Sequence, residues 1–438
     1  MRKLISFIGN NEYKECVYYD QNNFTSKPTK FVQTALFQLL EHEGENIDEV
    51  YLFITKEAAK KNYYDSVTWE GEPYKGLKSI WKQYFPDHVD KLKTIDIPSD
   101  QLEADQWVLF EKIYSVIKPG DEIYFDITHS FRSIPMITLL VANFARVVQN
   151  ATIKRLLYGN FDAVRKLGDI DSLPVAERKA PIVDITSMYN LFDWTIGVQS
   201  FLETGNPNQI DKLAEGKVKE NYRDQNLIAV KRLTSSLNRL NHLMESSRGL
   251  EVHKTVPNVK ENINRVKDIS DDVMPQFSKL MDKIEEKVDT LSKTRYENMW
   301  GTIKWCADHG LHQQAYTFAR EYIVSVIYDQ LLEKVPQLKI KNYYDERQVR
   351  DNIVGIILSE YNPEIKLKLK NERKFTDIVE PTKEIIAQYS ESLKSFQTIV
   401  KYRNNINHAE KAQIELPYTR IHSKMDGIVK EIKSIFYS

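Results

Sequence analysis

Apolar and polar positions follow two regimes along the chain, with the change near residue 186. Before it, short apolar runs are each closed by turn residues. The run at 4–8 stops at Gly9-Asn10-Asn11, and further runs of strand length occupy 50–55, 92–97, 123–127 and 152–158, with a sixth expected at 182–185. Helical periodicity fills the intervals at 31–40, 57–60, 77–85 and 104–117, the last stopped by Pro119-Gly120. Strands alternating with helices predict a three-layer, mostly parallel α/β domain. After residue 186 the apolar positions step by three and four, as in Ile263, Val266, Ile269, Val273 and again Leu280, Ile284, Val288, Leu291. Pro275 is expected to kink or break that run, and Gly205-Asn206-Pro207 and 246–249 interrupt it earlier. One stretch departs from the helical pattern: Ile365 to Lys370 alternates apolar and lysine, as a short amphipathic strand or a basic loop would. The expected architecture is a Rossmann-like α/β domain over 1–185, a helical connecting region over 186–295 and a helical domain over 296–438.

A length of 438 residues allows two or three cores. Lys and Arg number 61 against 62 Asp and Glu, so no global field attracts nucleic acid and any such site must be local. Cys16 and Cys306 offer neither metal-ligand spacing nor a disulfide framework, which suits a reducing cytoplasm. The N-terminal apolar run is too short for a signal-peptide core, and no run reaches bilayer length. A soluble, cytoplasmic protein without a metal and without a membrane partner is expected.

Ligands of open α/β sheets bind in the crevice at the carboxyl ends of the strands. Three predicted strand ends are polar: Gly9, Asn10 and Asn11 with Tyr13; Thr55; and Thr128, His129 and Ser130 with Arg132. Tyr158-Gly159-Asn160 is a weaker fourth. Any one of them alone is ordinary turn chemistry, but in a parallel sheet all four share one edge. Hydroxyls beside the free amides of a helix N-terminus form an anion site, so the set points to a ligand with several phosphates. The Gly-x-Gly-x-x-Gly of dinucleotide sites and the Gly-x-x-x-x-Gly-Lys-Ser/Thr of triphosphate loops are both missing. Asp126 lies inside its strand, where a buried carboxylate needs a partner; Arg132 or a backbone turn would supply it, in a structural role.

A second set stands at Lys401-Tyr-Arg-Asn-Asn-Ile-Asn-His-Ala-Glu410. Histidine titrates near neutrality and exchanges a proton during reaction; arginine holds a phosphate and stabilises charge building on it. Arg403 and His408 suffice for metal-free RNA cleavage, in which the neighbouring 2′-hydroxyl attacks phosphorus. Residues five apart on a helix are about 140° apart, so Arg403 and His408 do not share a face, whereas Asn404 and His408 do. Two copies across a dimer axis are therefore expected to compose the site, with Asn404 orienting one of its partners. Lys366, Lys368, Lys370, Arg373 and Lys374 form a basic cluster suited to RNA phosphates, or a solvated face.

Together the two sets resemble the CARF–HEPN ribonucleases of type III CRISPR systems, over nearly the whole chain. Asp126-Ile-Thr-His-Ser-Phe-Arg-Ser-Ile-Pro135 is similar to the Asp-x-Thr-His-Gly-x-Arg-x-x-Pro signature of one CARF branch, with Ser130 where glycine is usual. Phe7 to Tyr13 resembles the first ligand loop, Arg403-Asn404 to His408 the HEPN Arg-x(4–6)-His motif, and Gly310 to Glu321 the first HEPN core helix. The resemblance implies a homodimer, or a higher homo-oligomer, whose CARF domains bind cyclic tetra- or hexa-adenylate as an activator, with no other cofactor. Binding then switches on metal-independent cleavage of single-stranded RNA. Two alternatives stay open: a ligand-binding regulator without nuclease activity, and slow cleavage of the ring by the CARF crevice itself.

Overall fold

The computed structural model describes residues 1–437 except 69–70, 100–101, 129–132, 167–169, 274, 292–293, 339 and 408–417. Its chain divides into two compact units, Met1–Asn190 and Leu191–Ser438.

The first unit is built on β1 (Arg2–Ile8), β2 (Val17–Tyr19), β3 (Glu49–Ile54), β4 (Ser66–Val67), β5 (Pro73–Tyr74), β6 (Leu92–Asp96), β7 (Glu122–Asp126), β8 (Thr152–Gly159) and β9 (Lys179–Asp184). Seven of them form one sheet in the order β2-β9-β8-β7-β1-β3-β6, and β4 and β5 pair separately. From β8 to β6 every pairing is parallel. The expected sixth strand is real but starts earlier, at Lys179, and runs antiparallel to β8. The chain winds outward from β1 through β3 to β6, then returns to place β7 on the other side of β1. That reversal makes the carboxyl ends of β1 and β7 a topological switch point, where such sheets bind ligands.

Helices α1 (Val32–His42), α2 (Lys56–Ala58), α3 (Leu77–Tyr84), α4 (Glu103–Ser115), α5 (Ile134–Val148) and α6 (Asp162–Arg165) connect the strands. Strand residues alternate between two apolar layers, as the two-residue period of a strand requires. Leu4 and Ile8 pack in a cluster with Phe37 and Trp81, whereas Ile5 and Phe7 pack in another with Leu109, Ile113 and Val141. At the amino edge, buried Lys3 donates to the Val116 carbonyl at 2.8 Å and pairs with Asp121 at 2.6 Å.

Helix α7 (Thr186–Thr204) leads into the second unit, which adds α8 (Asn208–Glu220), α9 (Gln225–Glu245), α10 (Gly249–Val273), α11 (Pro275–Val288), α12 (Arg295–Asp308) and α13 (His312–Lys334). It continues with α14 (Tyr343–Tyr361), α15 (Glu372–Phe375), α16 (Val379–Gln388), α17 (Phe396–Asn407), α18 (Tyr418–Glu431) and α19 (Lys433–Phe436). Its helices share one apolar cluster. Lys267 on α10 pairs with Asp282 and Glu285 on α11, so the two helices lie side by side and the run through Pro275 is broken rather than kinked. The lysine alternation at 365–370 is loop: the lysines are exposed, Ile365, Leu367 and Leu369 are half-buried, and Lys370 is pinned through its backbone to Asn352.

Candidate functional site

At the switch point Asp126 is wholly buried, which pushes its carboxyl up, while hydrogen bonds from Ser6 and Thr128 pull it down. Its Oδ2 accepts from Ser6 Oγ at 2.5 Å, and its Oδ1 accepts from the Thr128 N–H at 2.9 Å and from Thr128 Oγ1 at 2.5 Å. Thr128 Oγ1 in turn accepts the Gly159 N–H at 2.8 Å. One carboxylate thus fastens the ends of β1, β7 and β8. The backbone turn foreseen as a partner is present; Arg132, the alternative, lies outside the described residues, as do His129 and Ser130.

The loop after β1 is held as firmly. Buried Asn62, an unforeseen participant, donates from Nδ2 to the carbonyls of Gly9 and Asn11 at 2.7 and 2.8 Å, and its Oδ1 accepts from Tyr74 OH at 3.0 Å. The Gly9 N–H donates to Tyr13 OH at 2.8 Å, and a Cβ on Gly9 would lie 3.0 Å from that oxygen. Burial, only partly offset by the Gly9 bond, pushes the Tyr13 phenol up, so it stays neutral. Thr55 caps α2, accepting from the Ala58 N–H at 3.2 Å.

Gly9, Asn10, Asn11, Tyr13, Thr55 and Thr128 all border one crevice of about 260 Å³. A neighbouring hollow of about 180 Å³ shares Asn11, Tyr13 and Thr128 and adds Lys14, Lys30, Gly159 and Arg165. Lys30 lies 4.0 Å from the centre of the Tyr74 ring, and burial lowers its ammonium. The sequence reading thus assembled the rim but missed Ser6, Asn62 and the three cations. Asn62 sits in a run of lysines and tyrosines that reads as a helix surface, and its full burial was the only signal, visible in the fold alone.

In the second unit Arg403 lies on α17, and His408 falls outside the described residues, so the pair has no geometry here. Arg403 Nη1 donates to Asn404 Oδ1 at 3.1 Å. Its Nε is buried and has no hydrogen-bond partner among the described residues. The side chain borders a cleft of about 700 Å³ together with Arg320, Arg347, Arg350, Glu321 and Ser325. Arg350 is aimed by Ser325 Oγ at 2.8 Å and the Glu321 carbonyl at 3.2 Å. Helices α13 and α17 meet through Tyr316 and Tyr402, ring centres 5.5 Å apart, and through Gln313 and Asn407 at 3.1 Å. Arg320, Arg347 and Arg350 come from two helices, and the sequence reading had not joined them to Arg403.

Comparison with known proteins bears on the first unit directly. Residues 3–162 match the family model of the CARF domain of the CRISPR system endoribonuclease Csx1. That match identifies residues 3–162 as a CARF domain. Residues 190–293 match the model of the second domain of CRISPR-associated protein MJ1674. The MJ1674 protein of Methanocaldococcus jannaschii is 25% identical over 350 residues, covering 77% of this chain and 49% of the relative. The chain therefore spans about half the length of that curated relative. Enterococcus italicus Csm6 bound to cyclic hexa-2′-fluoro-hexa-dAMP superposes with a TM-score of 0.46 at 13% identity, over 100% of this chain and 93% of that one. Among the described residues no helix is long and apolar enough to cross a membrane.

Proposed function

We propose that this CARF protein is a cyclic-oligoadenylate-activated endoribonuclease of type III CRISPR defence, acting as a homodimer on single-stranded RNA. The observation that carries the reading is the pairing of a CARF crevice with Arg403, whose buried Nε has no hydrogen-bond partner among the described residues. The crevice offers a rigid rim: Asp126 and Asn62 hold the strand ends and the Gly9 to Asn11 loop, and Lys14, Lys30 and Arg165 supply positive charge for phosphates. A two-fold ring suits two such crevices, one from each protomer. In the helical unit Arg403 stabilises charge on the scissile phosphate, Asn404 holds its guanidinium, and His408 moves the proton as the 2′-oxygen attacks and the 5′-oxygen leaves.

The connecting helices over 186–295 would carry the coupling; the ring activates only as far as it binds the active arrangement more tightly. The test is RNA cleavage in EDTA with and without cyclic tetra- or hexa-adenylate. Cleavage that requires a metal, or that survives His408→Ala, would sink the mechanism. A protein that binds the ring but leaves RNA intact would be a regulator, and linear product from the ring would reveal cleavage in the crevice.

A further inference from the structure

Between α9 and α10 lies a groove of about 780 Å³. Its walls are two polar stripes at helical spacing. Lys231, Arg232, Ser235 and Arg239 line it from α9; Lys254, Asn258, Asn262 and Arg265 line it from α10. Eleven residues separate Lys254 from Arg265, so the stripe extends roughly 16 Å at the rise of a helix. Five cations border the groove against two carboxylates, Glu251 and Glu261. In a chain with 61 basic and 62 acidic residues, that is a concentrated local excess.

The cations are not equally engaged. Lys231 pairs with Asp211 at 2.7 Å, Arg265 with Glu261 at 2.5 Å and Arg239 with Glu251 at 4.0 Å. Arg232 and Lys254 are exposed and have no ion pair or hydrogen bond among the described residues. An amphipathic helix would need an apolar floor here, yet the only apolar lining residues are Val218 and Ile228. A row of cations with hydroxyls and amides between them suits a linear chain of phosphates and sugars. Two helices in direct contact leave room for one strand rather than a duplex. Tyr222, in the turn joining α8 to α9, is 68% exposed, with the Arg223 guanidinium 5.4 Å from its ring centre. Exposed aromatic and guanidinium surfaces of this kind stack bases without sequence preference.

We propose that the α9–α10 groove binds the sugar–phosphate backbone of single-stranded RNA, outside the Arg403 cleft. That the strand is RNA rests on the ribonuclease reading; the binding chemistry does not depend on cleavage. The test uses the full chain and a fluorescein-labelled, 2′-O-methylated oligouridine about a dozen nucleotides long, which cannot supply an attacking 2′-hydroxyl. Fluorescence anisotropy is read across a salt series in EDTA. The Arg232→Gln, Lys254→Gln double variant is expected to bind roughly tenfold more weakly at low salt. Its log K against log salt slope should be shallower by about 1.4, at about 0.7 per phosphate contact of a single strand. Both side chains are exposed, so the thermal midpoint should not change, and an unchanged midpoint separates lost binding from lost fold. An unchanged affinity and slope would overturn the groove proposal, even if Arg403 proves to cleave RNA. So would a self-association that the double variant abolishes while oligouridine binding persists. The expected loss of binding in a chain that cleaves no RNA would uphold the groove and refute the ribonuclease reading.

Discussion

Replacing Asp126 is the sharpest probe of how the CARF crevice is built. The carboxylate is fully buried and accepts three hydrogen bonds from two residues. Asp126→Ala strands the Ser6 hydroxyl and the Thr128 N–H, each at about 1–3 kcal/mol for a buried unpaired donor. Thr128 Oγ1 can turn to another acceptor, and removing a buried charge returns part of the loss. The expected destabilisation is about 2–5 kcal/mol. Asp126→Asn keeps Oδ1 for Thr128 and places an amide against Ser6 Oγ, which can accept, so about 1 kcal/mol is expected.

The assay is urea unfolding followed by circular dichroism, together with hydrogen exchange at the Gly159 amide, whose acceptor Thr128 Oγ1 is held by Asp126. Exchange at Gly159 should accelerate strongly in the Ala variant and little in the Asn variant. The pH dependence has a definite sign. Burial raises the folded-state carboxyl, so its stabilising contribution is complete below the unfolded value near pH 3.9 and is lost as pH rises through the folded one. The stability advantage of the native protein over Asp126→Asn should therefore shrink from about pH 4 upward. Equal damage from Asn and Ala, or a gap that widens with pH, would refute this account of the crevice.

Three further outcomes follow from the same structure. Lys3→Met leaves Asp121 buried beside only the Met1 ammonium and the Lys118 amide, and should cost about 3–5 kcal/mol in urea unfolding; adding Asp121→Leu should recover much of it. Asn62→Ala frees the Gly9 and Asn11 carbonyls, and titration calorimetry should show cyclic tetra- or hexa-adenylate binding at least roughly tenfold more weakly, while RNA cleavage at saturating ring is spared. Arg403→Ala should lower the single-turnover rate of RNA cleavage by roughly a hundredfold or more without changing ring affinity, and a variant that cleaves at the native rate would remove Arg403 from the mechanism.

The parallel strands were legible because a strand buried on both faces is a near-continuous apolar run, and 4–8, 50–55 and 123–127 show that pattern around Ser6, Thr55 and Asp126. β2, β4 and β5 escaped notice: two or three residues carry no period, and β2 pairs with β9, which is distant in sequence. Strand direction was equally invisible, since β9 lies antiparallel to β8 for reasons of chain path rather than composition. The crevice rim was legible as a list of polar strand ends, but the division of labour within it was not. Thr128 and Thr55 read as free hydroxyls, yet the first is committed to Asp126 and Gly159 and the second accepts from the Ala58 amide.

That commitment changes what the rim can do. With those hydroxyls engaged in holding strand ends, the described cations facing the hollows are Lys14, Lys30 and Arg165, beside the exposed Asn10 and Asn11 and the carboxylates of Glu12 and Asp162. Lys14 already pairs with Asp171 and Arg165 with Asp162, so both must exchange a carboxylate for a phosphate. Lys30 faces no such exchange: its ammonium is lowered by burial and rests on the Tyr74 ring. A phosphate brought beside it would meet its ammonium in a partly dry setting, where the attraction is stronger than in water. Of the three cations, Lys30 is thus the one whose removal should weaken ring binding most, and the loss should persist at a salt concentration that has already screened Lys14 and Arg165.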